Sequence, residues 1–426
     1  MGWSRRGFVT GFAGLGASQA AAAPVAGRVP ARPALDPAAL AQDEAYWSQI
    51  AALYDVSEAV TNLEAGYWGV MTRPVKTAFL ANIDRMNREG SYYVRRELGG
   101  DMAAVYDRLA GFLGVRADEL LLVRSATEAL QILIGGYNKL QPGDAVLYAD
   151  LDYSSMKTAM AWLNTRRGVE TIKISLPEPA SREAFIQAYA EALDAHPHIR
   201  MMLLTHVNNI TGLVHPIDEI TAVAEARGVD VILDSAHAVG QLDFNFAGLR
   251  APFIGMNLHK WIGAPLGCGL IYVRKDRIAD IDPFMGEPGD ADDLRIRAHT
   301  GALNFAAPLT IPAALDVHEA IGAGAKQARL RYLRDVWVNE ARGLPGLDIL
   351  TPDDPELVAG MTAFRFRDRP TTADNNALVA QLSEVHRIFT VRRTGPAAGD
   401  CVRVTPALYN TPADMARLAP ALRALA

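Results

Sequence analysis

Cysteine is nearly absent: the 426 residues contain two, Cys268 and Cys401. Two thiols exclude a multi-bridge disulfide scaffold and a four-thiolate zinc site. A single bridge between them and two separate buried thiols both stay open on sequence alone. No long basic block occurs and the formal net charge is −6, so nucleic acid is not an expected partner. No His-Glu-x-x-His or comparable ligand spacing is present. His196 and His198 merely flank Pro197, and no metal site is expected. No internal repeat is visible. What the chain does have is 50% hydrophobic and 21% charged residues, the balance of a globular protein. Its length suits about two or three domain-sized units, or one large and one small.

The N-terminus reads Ser4, Arg5, Arg6, Gly7, Phe8, Val9, Thr10, followed by a mild apolar run over 11–23. Twin arginines ahead of such a run resemble a Tat export signal. The run is short and rich in Gly and Ala, which argues against stable membrane insertion. Ala20 and Ala22 give a small-x-small cleavage pattern with Pro24 just beyond. The expectation is a signal peptide over 1–23, the Tat export machinery as a partner, and a periplasmic protein exported already folded. Residues 24–42 read as a flexible leader and 43–60 as an N-terminal helical segment.

Apolar runs at 120–123, 145–149, 170–174, 201–205, 229–233, 253–256 and 270–273 read as buried strands. Helical stretches at 127–140, 155–167, 182–195 and 217–226 lie between them. This alternation predicts an α/β unit over 61–307, a mostly parallel sheet with flanking helices. Its ligand site belongs at the carboxyl ends of the strands. Residues 308–342 read as connecting helices. Strand-like runs at 361–366, 388–391 and 402–405, with helices at 375–382 and 413–424, predict a small C-terminal α+β domain over 343–426.

Three segments carry the chemistry. Residues 232–240 read ILDSAHAVG, an apolar strand that delivers Asp234 at its end, where a buried charge needs a partner. Residues 255–263 read GMNLHKWIG, with Lys260 after another apolar run. Residues 125–130 read SATEAL, a strand-to-helix turn whose free amides and Thr127 hydroxyl suit a phosphate.

Together, from about Asn62 to Asp414, these segments resemble the fold-type I enzymes of aminotransferase class V. Cysteine desulfurases and isopenicillin N epimerase-like proteins belong to that group, and the latter subgroup is the better match. The resemblance implies pyridoxal 5′-phosphate as cofactor, an electron sink. It implies that Lys260 carries the cofactor and then moves the substrate's α-proton. By the same resemblance Asp234 faces the ring nitrogen, His237 the ring hydroxyl, and Tyr153 stacks on the ring. Ala126, Thr127, Asn257 and His259 hold the phosphate. Thr300 resembles a phosphate contact supplied from a second subunit, which implies a homodimer. Arg403, in the strand-like run CVRVT, resembles the arginine that clamps an α-carboxylate as a bidentate fork. Arg95, in a cluster with Tyr92, Tyr93 and Arg96, is a second candidate for substrate binding. Arg392 and Arg393 are pocket or surface. Asn62, Glu64, Gly66 and Trp68 resemble the family segment that reaches the site.

One departure narrows the chemistry. The loop before Arg403 reads VRRTGPAAG over 391–399 and holds no cysteine, so persulfide chemistry is not expected. Transamination and epimerisation at the α-carbon of an amino acid or amino-acid-containing peptide lead. A lyase or decarboxylase acting on a secreted peptide or siderophore is the alternative. A non-catalytic binding protein on the same fold is the alternative of another class, and the presence of both Asp234 and Lys260 speaks against it.

Overall fold

The computed structural model describes residues 28–299, 301 and 303–426. The twin-arginine segment, its cleavage pattern and Thr300 lie outside the described residues. Among those described, no helix is long and apolar enough to cross a membrane.

Seven strands form the central sheet: β1 (Leu120–Val123), β2 (Ala145–Ala149), β3 (Glu170–Ile174), β4 (Ile199–Thr205), β5 (Asp230–Asp234), β6 (Phe253–Asn257) and β7 (Gly269–Val273). Their order is β1-β7-β6-β5-β4-β2-β3. All neighbours are parallel except β7, which runs antiparallel to both β1 and β6. Alternate residues feed two cores. Leu147, Met202, Leu204 and Leu233 face one, and Val146, Met201, Leu203 and Ile232 face the other. A sheet covered on both faces needs continuous apolar strands, which is why the runs lack polar alternation. The chain steps outward from β2 to β3, then returns to place β4 on the other side of β2. At such a reversal the strand ends open into a crevice.

The helices after β1, β2 and β3 are α3 (Ala126–Gly136), α4 (Ser154–Arg167) and α5 (Arg182–Ala195), with α6 (Ile217–Glu225) after β4. Ser125 and Ser181 cap α3 and α5 by accepting the Glu128 and Ala184 amides. The helix expected over 127–140 stops at Gly136. Tyr137 turns extended, and its hydroxyl donates to Asp230 (2.5 Å) at the start of β5.

Two long helices, α1 (Arg73–Arg96) and α2 (Leu98–Leu113), precede the sheet where no element was expected. α1 carries Val75, Phe79, Ile83 and Met86 at helical spacing, but it buries only Pro74, Val75 and Tyr93 and is interrupted at Gly90 (φ 53°). Residues 37–41, expected in a flexible leader, form a short helix capped by Asp36. Leu40 is buried there, and its carbonyl accepts the Trp47 indole N–H (2.6 Å).

The connecting region is two helices, α7 (Ile311–Ile321) and α8 (Ala323–Ala341), broken at Gly322 (φ 89°). The C-terminal unit is an antiparallel sheet ordered β10-β11-β9-β8. Its strands are β8 (Leu347–Ile349), β9 (Thr362–Phe366), β10 (Val391–Arg393) and β11 (Cys401–Val404). It packs around Trp337, Phe364, Leu382 and Val402. Residues 61–65 run alongside this unit rather than the large sheet. Thr61 and Leu63 donate to the Arg387 and Phe389 carbonyls (2.8 and 2.9 Å), and the Thr405 amide donates to Leu63 (2.8 Å). That pairing brings Glu64 beside Arg403.

Candidate active site

The ends of β4, β5 and β6 deliver Thr205, Asp234 and Asn257 to one cavity of about 410 Å3. Lys260 and His259 enter from the loop after β6, Ala126 and Thr127 from the first turn of α3, and Tyr153 from the start of α4. Arg393 and Arg403 reach it from β10 and β11.

The Lys260 amine lies 2.8 Å from His237 Nε2. On its other side, His237 Nδ1 accepts the Trp261 indole N–H (3.3 Å). Indole nitrogen only donates, so a neutral His237 carries its proton on Nε2 and offers it to the Lys260 lone pair. This pairing needs an uncharged amine. Burial pushes the Lys260 pKa down to about 7, with Asp234 opposing and Arg403 and Arg393 assisting. Burial, then Lys260, also keeps His237 well below the usual imidazole range. Burial raises the Asp234 carboxyl, and the Ala236 amide on Oδ1 (3.0 Å) and Lys260 oppose it. A buried carboxylate with one amide donor is ready for a cationic partner.

A cradle of donors stands at the other end. Asn257 Oδ1 accepts the Ala126 amide (2.7 Å), fixing the start of α3. His259 Nδ1 pairs with the Cys268 carbonyl (2.9 Å), so Nδ1 holds the proton and Nε2 is the free nitrogen. The amides at the start of α3 add the partial positive charge of a helix N-terminus.

Arg403 is buried, and its Nη2 donates to both Glu64 oxygens (2.5 and 2.7 Å) while Nη1 donates to the Asn209 carbonyl (2.5 Å). Arg393 also reaches Glu64 (3.2 Å). Two arginines and one carboxylate leave one net positive charge, enough for one substrate carboxylate. Gly66 lies flat on the guanidinium: a Cβ there would sit 2.5 Å from Arg403 Nη2.

Of the described candidates, Arg95 and its neighbours Tyr92, Tyr93 and Arg96 do not line the cavity, nor do Asn62, Glu64, Trp68 and Arg392, the last of which pairs with Asp400 (2.8 Å). Arg95 is the substrate-binding candidate so displaced. It stands exposed on the last turn of α1, because Tyr93 is the residue of that turn that faces inward, its hydroxyl on Asp101 (2.7 Å). Trp68 is exposed, in edge contact with Tyr67. The sequence pattern missed Thr205, Asn209 and the buried Asp152. The Thr205 hydroxyl donates to Asp152 (2.6 Å), which also accepts the Ala149 amide (2.7 Å) beside Tyr153. Thr205 had the same signal as Asp234, a polar residue closing an apolar strand.

Residues 77–418 match the aminotransferase class-V family. The chain belongs to the class V aminotransferase family. It is 29% identical over 396 residues to isopenicillin N epimerase of Streptomyces clavuligerus, covering 89% of this chain and 98% of that protein. The cysteine desulfurase CsdA of Escherichia coli has the same fold, with a TM-score of 0.72 at 18% identity, over 89% of this chain and 98% of that one. The C-DES protein, solved with glycine covalently linked to its PLP cofactor, has a TM-score of 0.72 at 20% identity, over 85% of this chain and 96% of that one. The class V architecture here is therefore that of the fold-type I enzymes.

Proposed function

We propose that this class V enzyme acts at the α-carbon of an amino acid or an amino-acid-containing peptide, by epimerisation or transamination. The observation that carries the reading is the convergence of Lys260, Asp234 and a two-arginine carboxylate site on one cavity that no thiol lines. The cofactor is pyridoxal 5′-phosphate, which when bound withdraws electrons from the substrate's α-carbon.

The residues present fit that group. Asp234 is a buried carboxylate placed for a protonated ring nitrogen. Ala126, Thr127, Asn257 and His259 surround the place for a phosphate: Thr127 and the Asn257 side-chain amide offer donors, and His259 Nε2 would donate only from a protonated ring. Tyr153 stands at the cavity wall as a stacking surface. Lys260 Nζ is held uncharged enough to take a proton from the α-carbon side and return it. His237 Nε2 orients that amine. Arg403 and Arg393 hold the substrate carboxylate, with Glu64 as the internal partner it displaces.

Both cysteines are buried, Cys268 after the Lys260 loop and Cys401 on β11, and burial pushes both thiols up to about 12. Neither is a ready nucleophile, which disfavours the desulfurase chemistry of the CsdA neighbour. The 29% relative named as an epimerase favours proton transfer at the α-carbon. The same reading includes a homodimer and export through the twin-arginine segment. The test is product analysis with amino acids and 2-oxo acids in deuterated water. Deuterium at the α-carbon with inverted configuration marks epimerisation, and amino-group exchange marks transamination. Sulfide or carbon dioxide as the main product would contradict the proposal.

A further inference from the structure

A second, smaller cavity borders the loop that carries Lys260. Its volume is about 40 Å3, and residues 260–263, the end of α7 and the start of α8 line it. Four polar side chains on its wall are almost fully buried: Lys326 (6% exposed), His318 (4%), Thr72 (4%) and Tyr409 (9%). Among the described residues, the Thr72 hydroxyl, the Tyr409 hydroxyl and His318 Nδ1 have no hydrogen-bond partner. Lys326 donates to the Trp261 carbonyl and to nothing else described. An ammonium has three N–H bonds, so two are left over.

The charge balance points one way. Burial alone pushes the Lys326 amine down, to about 7, with no carboxylate acting on it. Burial, then Lys326, pushes His318 down to about 3, so its ring is neutral and can donate from one nitrogen. Hydroxyls, a neutral imidazole and an amine make a donor-rich chamber, and among the described residues Lys326, when protonated, has no counter-charge there. Such a charge is costly unless something neutralises it. The chamber has room for a small anion.

We propose that this cavity is a binding site for a small monovalent anion of the halide class, held by Lys326, Thr72, His318 and Tyr409. Occupancy keeps Lys326 protonated and its N–H on the Trp261 carbonyl. The anion thereby braces the loop that presents Lys260. The site is separate from the substrate carboxylate site, whose arginines line the larger cavity.

The test uses the holoenzyme and bromide as probe. Crystals soaked in sodium bromide and measured at the bromine absorption edge should show an anomalous peak beside Lys326. In solution, bromide should raise the melting temperature by roughly 2 °C or more over sodium sulfate at matched ionic strength. Lys326→Met should abolish that difference and Thr72→Val should reduce it. If Lys326→Met does not fold, Thr72→Val and the diffraction measurement still decide. Ordered water alone in the chamber, or equal responses to bromide and sulfate, would overturn the proposal.

Discussion

Lys260 shows how burial sets chemistry at a single atom. An amine depressed to about 7 is charged below that value and free above it. Loading of pyridoxal phosphate into apoenzyme should therefore accelerate as pH rises through about 7 and then level off, followed by growth of the cofactor's absorbance. A rate still climbing toward the ordinary lysine range would mean an unperturbed amine. The same shift acts on stability. Between about 7 and the ordinary 10.5 the unfolded chain holds a proton that the folded amine has lost. This group's contribution thus makes the apoenzyme more stable as pH rises across that window. Asp234→Asn keeps the shape but not the charge, and should lower kcat roughly a thousandfold with the fold intact by circular dichroism. Near-normal turnover would make Asp234 structural. Arg403→Lys removes a planar fork and should raise KM about tenfold or more with a smaller change in kcat. Asp234 and Lys260 were legible in sequence because each follows an apolar run that reads as a buried strand, and Asn257 and His259 were legible only through the family resemblance of the segment around Lys260. Arg95 was not, because its outcome depends on which face of α1 turns inward, and Tyr93 takes that face.

At the scale of elements, the crossing of residues 64–69 over the Lys260 loop is the critical contact. The Gly69 amide donates to the His259 carbonyl (2.8 Å), and a Cβ on Gly69 would lie 2.0 Å from the Lys260 carbonyl oxygen. Gly69→Ala should therefore displace the loop and lower kcat about a hundredfold while cofactor still binds. Unchanged kinetics would mean the crossing is loose. The strands were legible because a two-face-buried sheet writes itself as short apolar runs. The pair α1 and α2 was legible too, since Val75, Phe79, Ile83 and Met86 on α1 and Leu98, Met102, Val105 and Leu109 on α2 recur at helical spacing. The pairing of Thr61–Asn62 with Ile388–Phe389 was hidden, because two-residue strands have no periodicity. That pairing is what carries Glu64 to Arg403, so the least legible element completes the end of the cavity proposed for the substrate carboxylate.

At the scale of the whole molecule, one cavity takes Asp234 and Lys260 from the side of the large sheet and Arg393 and Arg403 from the small one. Export as finished holoenzyme suits such a protein, because cofactor binding stabilises only the native state. Replacing Arg5 and Arg6 with lysines should leave active, yellow enzyme in the cytoplasm on fractionation, and normal arrival in the periplasm would remove the export proposal. The central claim, that Lys260 carries pyridoxal phosphate beside Asp234, has one decisive measurement. Holoenzyme is reduced with borohydride, digested and mapped by mass spectrometry. The reduced cofactor is expected on the peptide containing Lys260 and on no other. Its attachment to another lysine, or the absence of any attached cofactor after supplementation, would contradict the account.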